Sequence, residues 1–100
     1  MYSQTHHLLR SRQDGQYLVA RARTADADPD TAPIQFLLLF GEYADALSYL
    51  NTHAAEASDR FSVETIPGSQ LGALLKRWGY RGIGVVKDPL IPTVEFLTIE

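Results

Sequence analysis

Ile34-Gln35-Phe36-Leu37-Leu38-Leu39-Phe40 is the stretch on which the fold of this chain turns. Six of its seven residues are apolar, and Pro33 and Gly41 bound it. A run of this length is the usual length of a strand and too short for an independent helix. An apolar side chain at nearly every position leaves neither face suited to water, so the segment reads as a central strand covered on both faces.

Downstream, residues 42–55 read as a helix whose Tyr43, Ala46, Leu47, Leu50 and Ala54 form one narrow apolar face. Glu42 lies in its first turn, where the helix dipole favours a negative charge. Phe61 to Ile66 alternates Phe61 and Val63 against Ser62 and Glu64, the pattern of a half-buried strand. Pro67-Gly68-Ser69 is a turn, with Ser69 expected as the N-cap of a second helix. Leu71, Leu74, Leu75 and Trp78 recur at i, i+3, i+4 and i+7, and Gly79 is placed to end that helix. Trp78 is expected to be buried on the sheet against Phe36, Leu38 or Phe61. Ile83 to Lys87 is a short strand, Asp88-Pro89 and Ile91-Pro92 a stiff connection, and Val94 to Ile99 a last strand at a sheet edge.

Upstream, Gln16 to Thr24 reads as a strand with Leu18, Ala20 and Ala22 toward the core. Residues 25–33, with Asp26, Asp28, Asp30 and two prolines, form an acidic loop. Residues 1–15 read as a polar leader ending in the turn Gln13-Asp14-Gly15, so that the domain proper spans 16–100. The order β-β-α-β-α-β-β implies the α+β class: a two-layer sandwich of a mixed five-stranded sheet with both helices on one face.

The composition narrows the function. One hundred residues allow a single domain. No cysteine is present, which excludes disulfides, thiolate metal sites and cysteine nucleophiles, and suits a reducing compartment. Nine basic against twelve acidic residues give a net charge of −3, without the positive footprint of a nucleic-acid binder. The N-terminal residues lack the apolar region of a secretion signal, and no apolar run is long enough to span a bilayer. The expected setting is soluble and cytoplasmic.

The residues that could carry chemistry fall short of doing so. His6 and His7 are adjacent in the polar leader, point apart in any strand, and are expected to be solvated; His53 stands alone near the end of a helix. Asp26, Asp28 and Asp30 begin like a calcium loop, but Thr31 replaces the required glycine and Leu37 the bidentate glutamate. Gly79-Tyr80-Arg81-Gly82-Ile83-Gly84 follows a helix and enters a strand, the reverse of a phosphate cradle. Lys76, Arg77 and Arg81 surround Trp78 and Tyr80, the nearest approach to a nucleic-acid face. No catalytic residue, metal site or cofactor is therefore expected, and the protein reads as a non-enzymatic binding module.

The docking surface follows from the last strand. Val94 and Phe96 alternate against Leu97 and Ile99, so both faces of an edge strand are apolar. Such an edge can add a strand from a partner protein or from a second copy of the chain. With Tyr80 and Arg81, these residues are the candidate partner-docking set. The alternative is a small-ligand regulatory domain, with a pocket between the helices and the strand ends and polar tips from Tyr43, Tyr80 and Arg81.

The segment from Leu37 through Phe40-Gly41-Glu42-Tyr43-Ala44-Asp45-Ala46 to Leu50 resembles a small family of uncharacterised cyanobacterial and plastid proteins. Val63-Glu64-Thr65-Ile66, Gly79-Tyr80 and Pro89-Leu90-Ile91-Pro92-Thr93-Val94-Glu95 extend the resemblance over residues 17–95. The chain departs from that pattern in placing Gly41 before Glu42 and in its longer acidic loop. The order of elements is also similar to the N-terminal domain of SseB-like proteins. Neither family supplies catalytic residues. The first implies a photosynthetic setting, in which a small domain would serve as an adaptor or assembly factor, for instance in carbon fixation.

Overall fold

A computed structural model of the chain describes residues 5–22 and 33–98. Its elements are β1 (Thr5–Ser11), β2 (Val19–Ala22), β3 (Ile34–Phe40), α1 (Tyr43–His53), β4 (Phe61–Pro67), α2 (Leu71–Trp78), β5 (Gly82–Asp88) and β6 (Thr93–Thr98). Short 3-10 segments, Ala55–Arg60 and Gly68–Gln70, lead into β4 and α2. The strands form one mixed sheet in the order β4-β1-β3-β5-β6, with β2 also paired to β3. β3 and β5 run parallel, and every other pair is antiparallel. The α+β class holds, with six strands instead of five. The acidic loop apart from Pro33, and Arg23, Thr24 and Ile99, lie outside the described residues.

β3 occupies the predicted residues, and Phe36 to Phe40 are all buried. Alternation sends Leu38 and Phe40 into one apolar cluster, and Leu37 and Leu39 into another. Burial of each such side chain stabilises the fold by about 1.5–3 kcal/mol. Two cores require two covers, and this overturns the expectation of both helices on one face. Ala46 and Leu50 of α1 pack in the cluster of Leu38 and Phe40. Leu71 and Leu75 of α2 pack in the cluster of Leu37 and Leu39. The helices therefore take opposite faces, because a central strand apolar on both sides leaves neither free to meet water.

The second correction concerns the leader. Residues 5–11 form β1, paired with β4 along its whole length from Thr5↔Pro67 to Ser11↔Phe61. Leu8 and Leu9 are adjacent, so one enters each core, and both are fully buried. The polar residues beside them are matched across the strand pair: His7 Nδ1 lies 2.9 Å from Thr65 Oγ1, and Arg10 pairs with Glu64. β1 meets β3 only at His7↔Phe40. The chain then turns through Gly15, whose φ of +74° is the left-handed conformation that glycine tolerates. Leu18 donates its N–H to the Leu9 carbonyl at 2.8 Å, and β2 takes over the pairing with β3 from Leu37 to Ile34. Within the predicted strand over 16–24, β2 begins only at Val19, and the two faces of this segment serve both cores: Tyr17 and Val19 one, Leu18 and Ala20 the other.

The helix ends follow local rules unevenly. Gly79, at φ +72°, closes α2: its N–H reaches the Lys76 carbonyl at 3.3 Å, and Tyr80 N–H the Leu75 carbonyl at 2.9 Å. This paired arrangement satisfies the carbonyls that a helix end leaves open. Ser69 is not the N-cap; Gln70 holds that place without a side-chain bond, because the 3-10 segment already carries the chain into the helix, Leu71 N–H bonding Gly68 O. On α1 only Ala46 and Leu50 of the predicted stripe are buried, while Tyr43 and Leu47 are exposed and Tyr49 packs edge-on against Phe40 at 5.4 Å.

Trp78 is half-buried, and not against the predicted residues. It sits on the α2 face, edge-on to Tyr17 at 5.4 Å and stacked near Tyr80 at 6.2 Å. Leu38 and Phe61 belong to the other core. Trp78→Ala should accordingly cost about 2 kcal/mol, less than full burial would imply. Urea unfolding followed by far-UV circular dichroism measures it; a loss above about 4 kcal/mol would contradict the half-buried position.

Candidate functional site

β6 is the end strand of the sheet, as expected, with β5 on one side and an open edge on the other. Its close approach to β5 depends on two glycines. A Cβ at Gly82 would meet the Leu97 carbonyl oxygen and lie 2.8 Å from Thr98 Cα. At Gly84 it would lie 3.0–3.2 Å from Leu38, Val94 and Phe96 side-chain atoms. The glycine-rich stretch is therefore not only a helix stop and turn; two of its three glycines are strand positions shaped for β6.

The docking residues separate into three groups. Phe96 and Leu97 are exposed, 51% and 38%, although Phe96 still touches Phe36 at 5.1 Å between ring centres. Val94 is half-buried against the α1-side core. Tyr80 is buried at 8% exposure and belongs to the α2-side core, so it does not present a docking face. Its neighbour Arg81 is exposed, with its N–H given to the Gln35 carbonyl at 2.8 Å. Two further apolar side chains, Leu90 and Ile91, stand out in the β5–β6 connection. Asp88 Oδ1 accepts both of their N–H groups, at 2.8 and 3.3 Å, and His53 Nε2 lies 2.9 Å from the Pro89 carbonyl. Proline signals marked the connection in the sequence, but nothing there showed that its apolar residues face solvent.

The residues named for the alternative pocket do not converge. Tyr43 begins α1 beyond the end of β3, whereas Tyr80 and Arg81 precede β5 beside the start of β3. Nor does the basic–aromatic cluster form a stacking platform, since Trp78, Tyr80 and Tyr17 engage one another.

What that region does contain is a polar knot. Arg10 Nη1 lies 3.2 Å from Glu64 Oε1, Arg10 Nε donates to Gly15 O at 2.7 Å, and the guanidinium sits 4.9 Å from the Tyr17 ring centre. Tyr17 donates its hydroxyl to Glu64 Oε2 at 3.2 Å. Both carboxylate oxygens are thus engaged, which suits a clamp holding β1, β4 and the β1–β2 turn together better than a free base. The bond to Glu64 raises the Arg10 pKa, while burial raises those of Tyr17 and Tyr80 above the ordinary value of 10.0. A raised value means that the folded state holds the proton more tightly. That stabilisation is complete below pH 10 and is lost as pH rises through the folded-state values. The melting temperature should fall above that point, and Tyr17→Phe should flatten the fall. Melting curves across alkaline pH test this; an unchanged slope in the variant would contradict it.

His6 and His7 depart from the expectation of solvated side chains. His6 is buried at 8% exposure and His7 is half-buried. His53 is exposed in the last turn of α1, its ring tilted on Tyr49 at 4.8 Å. Among the described residues no three His, Asp or Glu side chains gather as metal ligands, and no helix is long and apolar enough to cross a membrane. Comparison of the chain with protein-family models, curated proteins and solved structures gives no match.

Proposed function

We propose that the protein is a non-catalytic docking module that takes up an extended segment of another protein along β6. The observation that carries this reading is an end strand with an open backbone edge and exposed Phe96 and Leu97. Strand addition supplies affinity through main-chain hydrogen bonds and specificity through alternate side chains. Phe96 and Leu97 point to opposite faces, so an added strand would bring one apolar residue against each. Glu95 precedes Phe96, lies on the same face as Leu97, and favours a basic residue opposite it. The photosynthetic or carbon-fixation setting and the adaptor role rest on the resemblance of the short sequence motifs.

The test compares the wild-type chain with Phe96→Asp and Leu97→Asp as baits in native lysate, followed by hydrogen exchange on the recovered complex. Leu97→Asp changes an exposed edge position and should move the melting temperature little, whereas Phe96→Asp also gives up the ring contact with Phe36 and should lower it. The expected result is a partner that the wild type captures, that both variants lose at least about tenfold, and that protects the β6 amides. Capture unaffected by either variant, or protection confined elsewhere, would overturn the reading. Light scattering that returns a dimer dissolved by the same variants would make the occupant a second copy of the chain instead.

A further inference from the structure

The sheet has a second end strand. β4 pairs with β1 along all seven of its residues in unbroken register, and no strand of the described residues lies on its other side. Open edges of this kind are normally blunted by lysine, proline, an inward charge or a bulge. β4 has no lysine and no bulge, and its proline comes last. Its one charge, Glu64, is already held by Arg10 and Tyr17.

α1 extends this edge as an apolar shoulder. Tyr43 and Leu47, 53% and 40% exposed, lie one helical turn apart. With Phe61 and Val63 they line a shallow groove of about 280 Å³ between helix and strand. The opposite flank of α1 is closed, with Tyr49 against Phe40 and His53 at the Pro89 carbonyl. An exposed apolar strip rimmed by polar groups marks an interaction surface, and here it runs beside an open backbone edge.

The occupant follows from the charges at the two ends of the strip. Arg12 lines the groove where β4 begins, and Arg60 immediately precedes the strand; both are exposed. Asp59 offsets one of these two charges. At the other end Glu42 is exposed next to Tyr43, whose ring meets His7, the residue paired with Thr65. Neither arginine nor Glu42 makes an ion pair among the described residues. A strip that is basic at one end and acidic at the other complements a copy of itself turned end for end, which is the relation a two-fold axis imposes. The strand pattern agrees. An axis at Val63 sets Phe61 against Thr65 of a second copy and Ser62 against its Glu64, with no like charges opposed. An axis one residue later would oppose two carboxylates.

We propose that two copies of this chain associate through β4, joining their sheets edge to edge. Tyr43 and Leu47 of the two α1 helices pack across the axis, and Glu42 of each copy faces Arg12 of the other. The pairing leaves both β6 edges free at the far ends of one continuous sheet, so it does not depend on what β6 binds.

Sedimentation equilibrium over about 1–500 μM covers the affinities expected of a small interface. The expected result is a reversible dimer, with β4 amides better protected from hydrogen exchange at high concentration. Leu47→Glu should weaken it at least about tenfold. Glu42→Arg and Arg12→Glu should each do the same, and the two reversals together should restore the affinity to within about threefold of wild type. Leu97→Asp, at the other edge of the sheet, should leave it unchanged. Circular dichroism of the dilute monomers checks that every variant folds. A chain monomeric over the whole range, a dimer that Leu97→Asp dissolves and Leu47→Glu does not, or reversals that fail to restore each other would overturn the proposal.

Discussion

Gly82→Ala should destabilise the domain by at least about 3 kcal/mol, because the added methyl has no room to occupy. Its Cβ would meet the Leu97 carbonyl oxygen and come within 2.9 Å of the Leu97 carbonyl carbon, both main-chain atoms of β6. A flexible side chain could swing aside from such a contact; a paired backbone cannot without opening the ladder. The pairing from Gly82↔Thr98 to Val86↔Val94 would have to shift or part. The control is Gly72→Ala, where nothing lies within 4 Å. That position is inside α2 and exposed, so the substitution should stabilise by about 1 kcal/mol through helix propensity. Thermal melts of the two variants should therefore move in opposite directions. A Gly82→Ala protein that melts with the wild type would mean that β6 does not pack on β5 as described.

Phe40→Ala is the second large effect, expected at about 3–5 kcal/mol. Phe40 is fully buried at the end of β3, packs in the core with Leu9, Ala46, Leu50 and Val86, and meets Tyr49 edge-on at 5.4 Å. Truncation would remove its burial and leave a cavity bounded by β-sheet and α1, neither of which can collapse far. A domain of this size is stable by about 5–15 kcal/mol in total, so the loss is a large fraction. Leu97→Ala at the exposed edge should cost under about 1 kcal/mol. Urea unfolding of the pair gives the comparison, and similar midpoints for both would contradict the assignment of Phe40 to the core.

These effects lie where sequence reading was strongest and where it was weakest. β3 was legible at both ends, because Pro33 and Gly41 punctuate a run that is apolar throughout. The stop of α2 at Gly79 was legible because a left-handed residue is a local requirement that glycine meets. β1 was not, since residues 1–15 read as a polar leader and His6 and His7 as solvated when taken alone. His7 and Arg10 find their partners in Thr65 and Glu64, more than fifty residues along the chain. The same limit applied to the sites. Phe96 and Leu97 showed an edge strand through their alternation, whereas Tyr80 looked like a docking residue until the turn after Gly79 carried it into the core.

By itself, then, the chain determined what is periodic or local: the central strand, the two helices, the left-handed helix stop, the α+β class and the final edge strand. These depend on burial patterns and backbone conformations that a few adjacent residues dictate. Only the tertiary structure decided that the helices cover opposite faces, that β1 enters the sheet, that Gly82 must be bare for β6 to approach, and that His6 is buried. Each of these depends on groups distant in sequence meeting in space, and the free energy of such a contact belongs to neither residue alone.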